Sequence, residues 1–519
     1  MTVAAAVQPV RARGGAIHVR HPSLYQINTR VWLHELGQAI GRRATLDDVW
    51  DATLDEIARD GFDWIWLLGV WQTGEAGRHV SRTQPEWQHE YRELLPDFTP
   101  DDVSGSPFAV REYVVAQEFG GPRALDGLRQ RLAERDVRLM LDFVPNHTAL
   151  DHPWAREHPE YYVQGSEADL AREPHNYRRV ETRAGVRVLA HGRDPYFPGW
   201  PDTLQVNYRH PGLWEAMLGV LDGIAEQCDG VRCDMAMLVL PEVIRRTWGE
   251  RTRPGDGDAP IDDSFWPVAI DHVRQRRSEF AFMAEAYWDL EWTLQQQGFD
   301  YTYDKSLYDR LRARDAGAVR GHLHADPEYQ RRSARFLENH DEPRAAAVFP
   351  RDVHEAAAVV TFLLPGLRFV HEGERVGRRL RASNHLRRRA AEPADTALDA
   401  FYGRLFACMR RSEAREGEWR LLEARPAWDG NPTSDHFISF SWDTAGRRLL
   451  VAVNYGPTQG QCYVAWPWPD VEGHTVALRD LMTSGVRYDR EGGDLLRRGL
   501  YLDMPAWGHH VFEVTTRGT

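Results

Sequence analysis

The chain has 519 residues, 42% of them hydrophobic and 27% charged, the balance of a globular protein with room for a large core. Its 64 basic and 77 acidic side chains leave a net charge of −13, which argues against a nucleic-acid footprint. No apolar run reaches the roughly 18 residues that a membrane span requires.

Four scattered cysteines, Cys228, Cys233, Cys408 and Cys462, suit neither a disulfide framework nor a zinc site and point to a reduced, cytoplasmic setting. The first 20 residues lack an apolar core of signal-peptide length. The arginine-rich stretch 378–389 reads as a solvated loop. The 19 tryptophans fill core in the main, though an indole face also suits the apolar side of a sugar ring.

Taken in chain order, eight short apolar runs read as buried strands: 23–27, 64–68, 138–144, 230–234, 280–286, 299–303, 334–341 and 366–370. Helical patterns fall between them. Leu46, Val49, Trp50, Leu54 and Ile57 form one stripe, with Thr45 as N-cap and Gly61 as stop, and Leu125, Leu128 and Leu132 form another. Eight strands alternating with helices predict an α/β fold closed into a (β/α)8 TIM barrel over residues 1–400. A small inserted domain is expected at about 148–205, after the third strand, where the connection is too long for one helix. Residues 401–424 read as a connecting helical region. From 425 to 519 the pattern alternates with period two between turn signals, which predicts an antiparallel β-sandwich.

In such a barrel the active site lies at the C-terminal ends of the strands. There the chain places Asp142, Asn146 and His147 on the third run, Arg232 and Asp234 on the fourth, Glu285 on the fifth, and His340 and Asp341 on the seventh. One acid at a strand end is ordinarily a loop cap. Several aimed at one point repel each other unless the site uses them. Paired carboxylates are what glycosidic bond cleavage needs, one as nucleophile and one as an acid of raised pKa. A metal-dependent hydrolase would call for convergent His ligands, and no H-x-H or HExxH spacing supports His147 and His340.

The segments "LDFVPNH", "GVRCD", "FMAEA" and "FLENHD", in this order, resemble the four signature regions of the α-amylase superfamily, glycoside hydrolase family 13. "DTLQVNY" at 202–208 resembles its fifth region. The resemblance implies a retaining α-glycosidase or transglycosylase acting on a carbohydrate, α-glucans or small α-glucosides, with a transferase, isomerase or phosphorylase of the same superfamily, or a catalytically inactive relative, as alternatives. Asp234 would be the nucleophile, Glu285 the acid and then the base, and Asp341 the carboxylate that holds two ring hydroxyls. Arg232 would ionise and orient Asp234, His147 and His340 would bind hydroxyls, and Asp142 would support the site.

Departures from the family pattern narrow this. Met235, Ala236, Met237 and Leu238 follow the nucleophile where amylases proper place a Lys–His pair. That missing His also supplies a carbonyl to the family's structural calcium. Asn146, which matches a calcium-ligand position, therefore either caps its loop or contributes to a calcium site, and no metal or other cofactor is expected. Ala109 stands where exo-acting relatives carry Asp, and Phe108 where an aromatic stacks on the sugar. Tyr287 and Trp288 are expected to wall the leaving-group sugar, and His371, Glu372 and Glu374 to line the site.

Overall fold

The computed structural model describes residues 19–252 and 261–518, so the expectation drawn from the first 20 residues lies almost wholly outside the described residues. Eight parallel strands close into a barrel: β1 (Ser23–Asn28), β2 (Trp64–Leu68), β3 (Arg138–Phe143), β4 (Gly230–Cys233), β5 (Ala281–Ala284), β6 (Tyr301–Tyr303), β7 (Ser333–Arg335) and β8 (Leu367–His371). Each pairs with its neighbours in sequence, and β1 closes the ring against both β2 and β8. The strands are short and almost wholly buried, as parallel strands covered on both faces must be.

The helical stripe after Thr45 breaks in two. Thr45 and Asp48 form a capping box on a single turn, Leu46–Asp48, and Val49 turns extended before the helix Asp51–Asp60 begins. The break resets the phase, so Trp50 points to solvent instead of joining the stripe, while Leu46, Leu54 and Ile57 are buried. Gly61 ends the helix at φ +93°, a conformation that costs glycine little. The second stripe forms the helix Gly121–Ala133, with Leu125, Leu128 and Leu132 inward.

Two long excursions rise from the C-terminal ends of the strands. After β2, residues 69–120 carry the helices Glu75–Thr83 and Pro85–Leu94 and an antiparallel pair, Trp71–Thr73 with Val110–Val115. After β3, His147–Ala149 pairs with Thr203–Gln205, and the chain between them forms a three-stranded sheet of Gln164–Gly165, Tyr177–Thr182 and Gly185–Ala190. Beyond the barrel, one sheet of six antiparallel strands and one of three face each other over a shared core that includes Phe437, Leu450, Cys462, Leu502 and Phe512. This is the expected antiparallel sandwich. It is tied to the barrel by Trp442 Nε1, which donates to the Leu363 carbonyl at 2.8 Å, and by Tyr455 Oη, which donates to that of Leu311 at 2.7 Å.

The arginine-rich stretch is irregular, as a loop should be, but it is not simply solvated. Arg381 pairs with Glu90, Arg388 with Asp97 and Asp102, and Arg389 with Glu35 and Glu372. All four cysteines are buried and unpaired. Among the described residues no helix is long and apolar enough to cross a membrane.

Candidate active site

Strand register brings the charged groups together. Arg232 on β4 lies opposite Asp142 on β3, so the two side chains stand side by side on the inner face. The backbone ladder then continues past the named strands. Asp234 N donates to the Phe143 carbonyl at 2.8 Å, and Glu285 N to that of Cys233 at 3.0 Å. Both carboxylates thus sit on strand ends, where their backbone is fixed.

Arg232 is fully buried and bridges two acids. Nη1 donates to Asp234 Oδ1 at 2.7 Å, and Nη2 lies 2.7 Å from Glu285 Oε2. The rings of Trp66, Phe108 and Tyr303 surround the guanidinium with centroids 5.2, 5.2 and 5.7 Å from Cζ. A buried cation caged in this way can point only toward its carboxylates. Asp142 is held from behind. Its carboxylate accepts from Trp66 Nε1 at 3.0 Å and from Gly69 N at 2.7 Å. Gly69 reaches it at φ +79°, where a Cβ would stand 2.7 Å from Pro107 Cβ, so only glycine fits this turn.

The residue after Asp234 is unusual. Met235 adopts φ +44° without being glycine, and the turn aims its N–H at Glu285 Oε2, 2.7 Å away. Such a conformation costs about 1–3 kcal/mol and persists only where the surroundings enforce it. Here the buried run Ala236–Val239 packs beneath it. Tyr287 Oη donates to the other oxygen, Glu285 Oε1, at 2.8 Å. The apolar follow-on thus shapes the surroundings of Glu285 as well as those of Asp234.

The three acids differ in their hold on the proton. Burial pushes Glu285 up to about 7; Arg232 works against this, and the Asp234 and Asp341 charges reinforce it. Asp234 is also raised by burial, opposed by Arg232, whose hydrogen bond favours the ionised form. Asp341 goes the other way. Desolvation by its neighbours opposes ionisation even though the side chain stays 40% exposed, but His340 and Arg232 outweigh it and hold the carboxyl well below the usual range. One cluster therefore contains a proton-holding carboxyl and a firmly ionised one, the division that glycosidic cleavage uses.

A cavity of about 330 Å³ opens over these groups, with Phe108, His147, Asp234, Glu285, Tyr287 and Asp341 among its walls. Of the residues named from sequence, Arg232, Asp142 and His340 stand behind that wall. His340 Nε2 lies 2.9 Å from Asp341, and its Nδ1 is 2.7 Å from Gln26 Nε2. Trp288, expected as a second wall beside Tyr287, is 36% exposed and is not among the residues that line this cavity. His371, Glu372 and Glu374 do not line the cavity, contrary to expectation. They turn into a separate buried network with Glu338, Arg344 and Tyr402, because each finds a partner there.

Sequence reasoning missed Trp87, Ser106, Trp200, Asp202, Thr203, Met235 and His385, which complete the walls. Most come from the two excursions, whose folding no periodicity announces. Asp202 is buried, has an oxygen without a partner, and is pushed up to about 7 by burial. The donors around Asn146 do not fit a calcium ion. Its side-chain amide and that of Gln205 bond each other reciprocally, at 2.9 and 3.2 Å, and Gln205 Nε2 also takes the Asn146 carbonyl. The Asn146 oxygens that a hard cation could use, Oδ1 and the carbonyl, are thus both taken by the Gln205 amide.

The fold and the site together define a (β/α)8 barrel with a buried carboxylate cluster at the C-terminal end of its strands. The profile of the α-amylase catalytic domain matches residues 108–404, and the chain belongs to that family. It is 25% identical over 442 residues to the α-amylase MalA of Haloarcula japonica, covering 83% of this chain and 55% of that protein. An α-glucosidase of Culex pipiens is 24% identical over 69% of this chain and 62% of its own length. The chain thus spans little more than half the length of these curated relatives. Among solved structures, a noncanonic maltogenic α-amylase from Thermotoga neapolitana shares the fold, with TM-score 0.67, 17% identity, and coverage of 96% of this chain and 99% of the other.

Proposed function

We propose that the chain is a retaining α-glycosidase or transglycosylase that acts on α-glucosidic bonds by double displacement. The observation that carries this reading is the single buried Arg232 shared by Asp234 and Glu285, with Glu285 pushed up to about 7 and Asp341 held ionised beside them. Glu285 donates its proton to the glycosidic oxygen as Asp234 attacks the anomeric carbon. The C–O bond breaks and a glycosyl ester forms on Asp234. Asp341 faces the positive charge that develops on the ring. Glu285, now ionised, takes a proton from the incoming water or sugar hydroxyl, which displaces Asp234 with a second inversion.

A product screen by NMR tests this, with maltose, sucrose, trehalose and maltooligosaccharides offered with varied acceptors, phosphate included. The expected result is α-configured product at the first time points, abolished in Asp234→Asn. An initial β-product would exclude double displacement. Turnover of none of these, or turnover that survives in Asp234→Asn, would favour an inactive relative or another site.

A further inference from the structure

One arginine of the stretch 378–389 faces a cavity without a carboxylate partner. Arg388 and Arg389 each hold two carboxylates, but Arg387 beside them holds none among the described residues, and its buried Nε makes no hydrogen bond. Arg387 lines a second cavity, of about 480 Å³, that shares no residue with the one over Glu285. This cavity lies between the helix Thr29–Ile40, the turn that follows it, and the excursion after β2.

A second unpaired cation stands on its wall. Arg30 is only 5% exposed, and it too has no carboxylate partner among the described residues. Its Nη groups donate to the carbonyls of Gly105 and Asn384 and to Thr73 Oγ1, while Nε makes no hydrogen bond. Burial lowers its pKa to about 10; Glu118 works against this, and Arg78 and Arg387 reinforce it. The other charges on the wall are already answered, Arg42 by Asp48 and Arg43 by Glu118. Two spare positive charges remain.

Buried charge without a counter-charge is costly. Two guanidinium forks suit a phosphate monoester, which brings three acceptor oxygens and a charge of about −1.5 to −2. The volume is that of a small-molecule site and not of a bare ion, and Gln38 and Ser104 add polar groups to the wall.

The cavity also backs onto the reaction site. Arg30 holds the carbonyls of Gly105 and Asn384. Ser104 N and Gly105 N donate to the His385 carbonyl at 2.8 and 3.2 Å, and His385 lines the reaction cavity. The Asn384 side chain donates to Asp341 at 3.2 Å.

We infer that this cavity binds a phosphate group, free or carried by a small metabolite, between Arg30 and Arg387, and that occupancy steadies residues 104–105 and 384–387 behind the reaction site. The anion supplies the missing counter-charge, and the segments that carry Asn384 and His385 open less often when it is bound.

Calorimetry on the full chain tests this, with inorganic phosphate, glucose 6-phosphate and, as a control, chloride at matched ionic strength. Both phosphates are expected to bind. Arg387→Gln should weaken them about tenfold or more, with the ligand-free melting temperature unchanged. Tighter binding of glucose 6-phosphate identifies a phosphorylated metabolite as the occupant, and equal binding identifies the free anion. Hydrogen exchange at the amides of Ser104, Gly105, Leu386 and Arg387 should slow about tenfold at saturation. No binding, binding that chloride reproduces, or binding indifferent to Arg387→Gln overturns the site. Binding that leaves exchange at those four amides unchanged overturns the link to the reaction cavity. None of these readouts uses turnover, so the site stands or falls apart from the glycosidase reading.

Discussion

Arg232 and Arg344 are both completely buried at the C-terminal end of the barrel, and each holds carboxylates from neighbouring segments. Around Arg344 each carboxylate has a partner, although Arg344 Nε and Nη2 make no hydrogen bond. One oxygen of Glu338 meets Arg344 and His371, and the other accepts from Ala345 N. Glu374 accepts from Tyr402 Oη at 2.7 Å, and that hydroxyl also meets His354. Around Arg232 there are more acids than cations, namely Asp142, Asp234, Glu285 and Asp341, and a cavity opens over three of them. Burial raises Glu374 well above its ordinary value, as it raises Glu285. A perturbed proton affinity therefore does not by itself identify the acid. What separates the clusters is whether the reactive oxygens face a space that a substrate can enter.

The largest expected effect breaks the comparison in activity. Asp234→Asn should lower turnover of an α-glucoside on the order of 10⁴-fold or more while the melting temperature changes little. Comparable loss per folded molecule from Glu338→Gln would erase the distinction. In stability the order reverses. Arg344→Met leaves buried carboxylates unanswered and should cost about 3–5 kcal/mol in urea unfolding, with turnover of the folded fraction retained.

A smaller effect separates the two tyrosines. Tyr287 donates to Glu285 and so favours its ionised form. Tyr287→Phe should move the alkaline limb of the pH–rate profile upward, by about one pH unit or less. Tyr402→Phe should leave that limb in place.

The smallest effect concerns pH and stability. Burial pushes Asp202, Glu285 and Glu291 each up to about 7. Between the unfolded carboxyl range and that value, the folded chain holds protons that the unfolded chain has released. Their contribution to stability is therefore greatest below the unfolded value and declines as pH rises through about 7. Buried histidines such as His147, His191 and His371, pushed down to about 3–4, act in the opposite sense up to about pH 6.5, so the effect is read as a difference. The melting temperature of Glu291→Gln relative to wild type should rise from about pH 5 to about pH 8, and a constant difference would contradict the shift at Glu291.

Much of this was legible in the sequence because buried parallel strands must be apolar and chemistry must stand at their ends. The eight runs lie within a few residues of β1 to β8, and Asp234, Glu285 and Asp341 meet over one cavity. Less legible was what depends on conformation. Nothing in the letters marks Met235 as a left-handed turn that aims its amide at Glu285. "FLENHD" reads as one block, yet the chain divides it. Glu338 serves the closed cluster, the Asn339 side chain accepts from Asp341 N and Glu342 N to form the turn, and Asp341 swings to the cavity. His371 and Glu374 likewise share strand-end positions with Asp234 and Glu285, and only packing decides that they face away.

The central claim is that Glu285 is the proton donor, and leaving-group dependence tests it most directly. Kinetics of wild type and Glu285→Gln should be compared on a sugar leaving group, which needs protonation, and on an activated aryl glucoside, which needs little. The account predicts that Glu285→Gln loses nearly all activity on the first and retains much of it on the second. Equal loss on both would contradict the assignment of the acid.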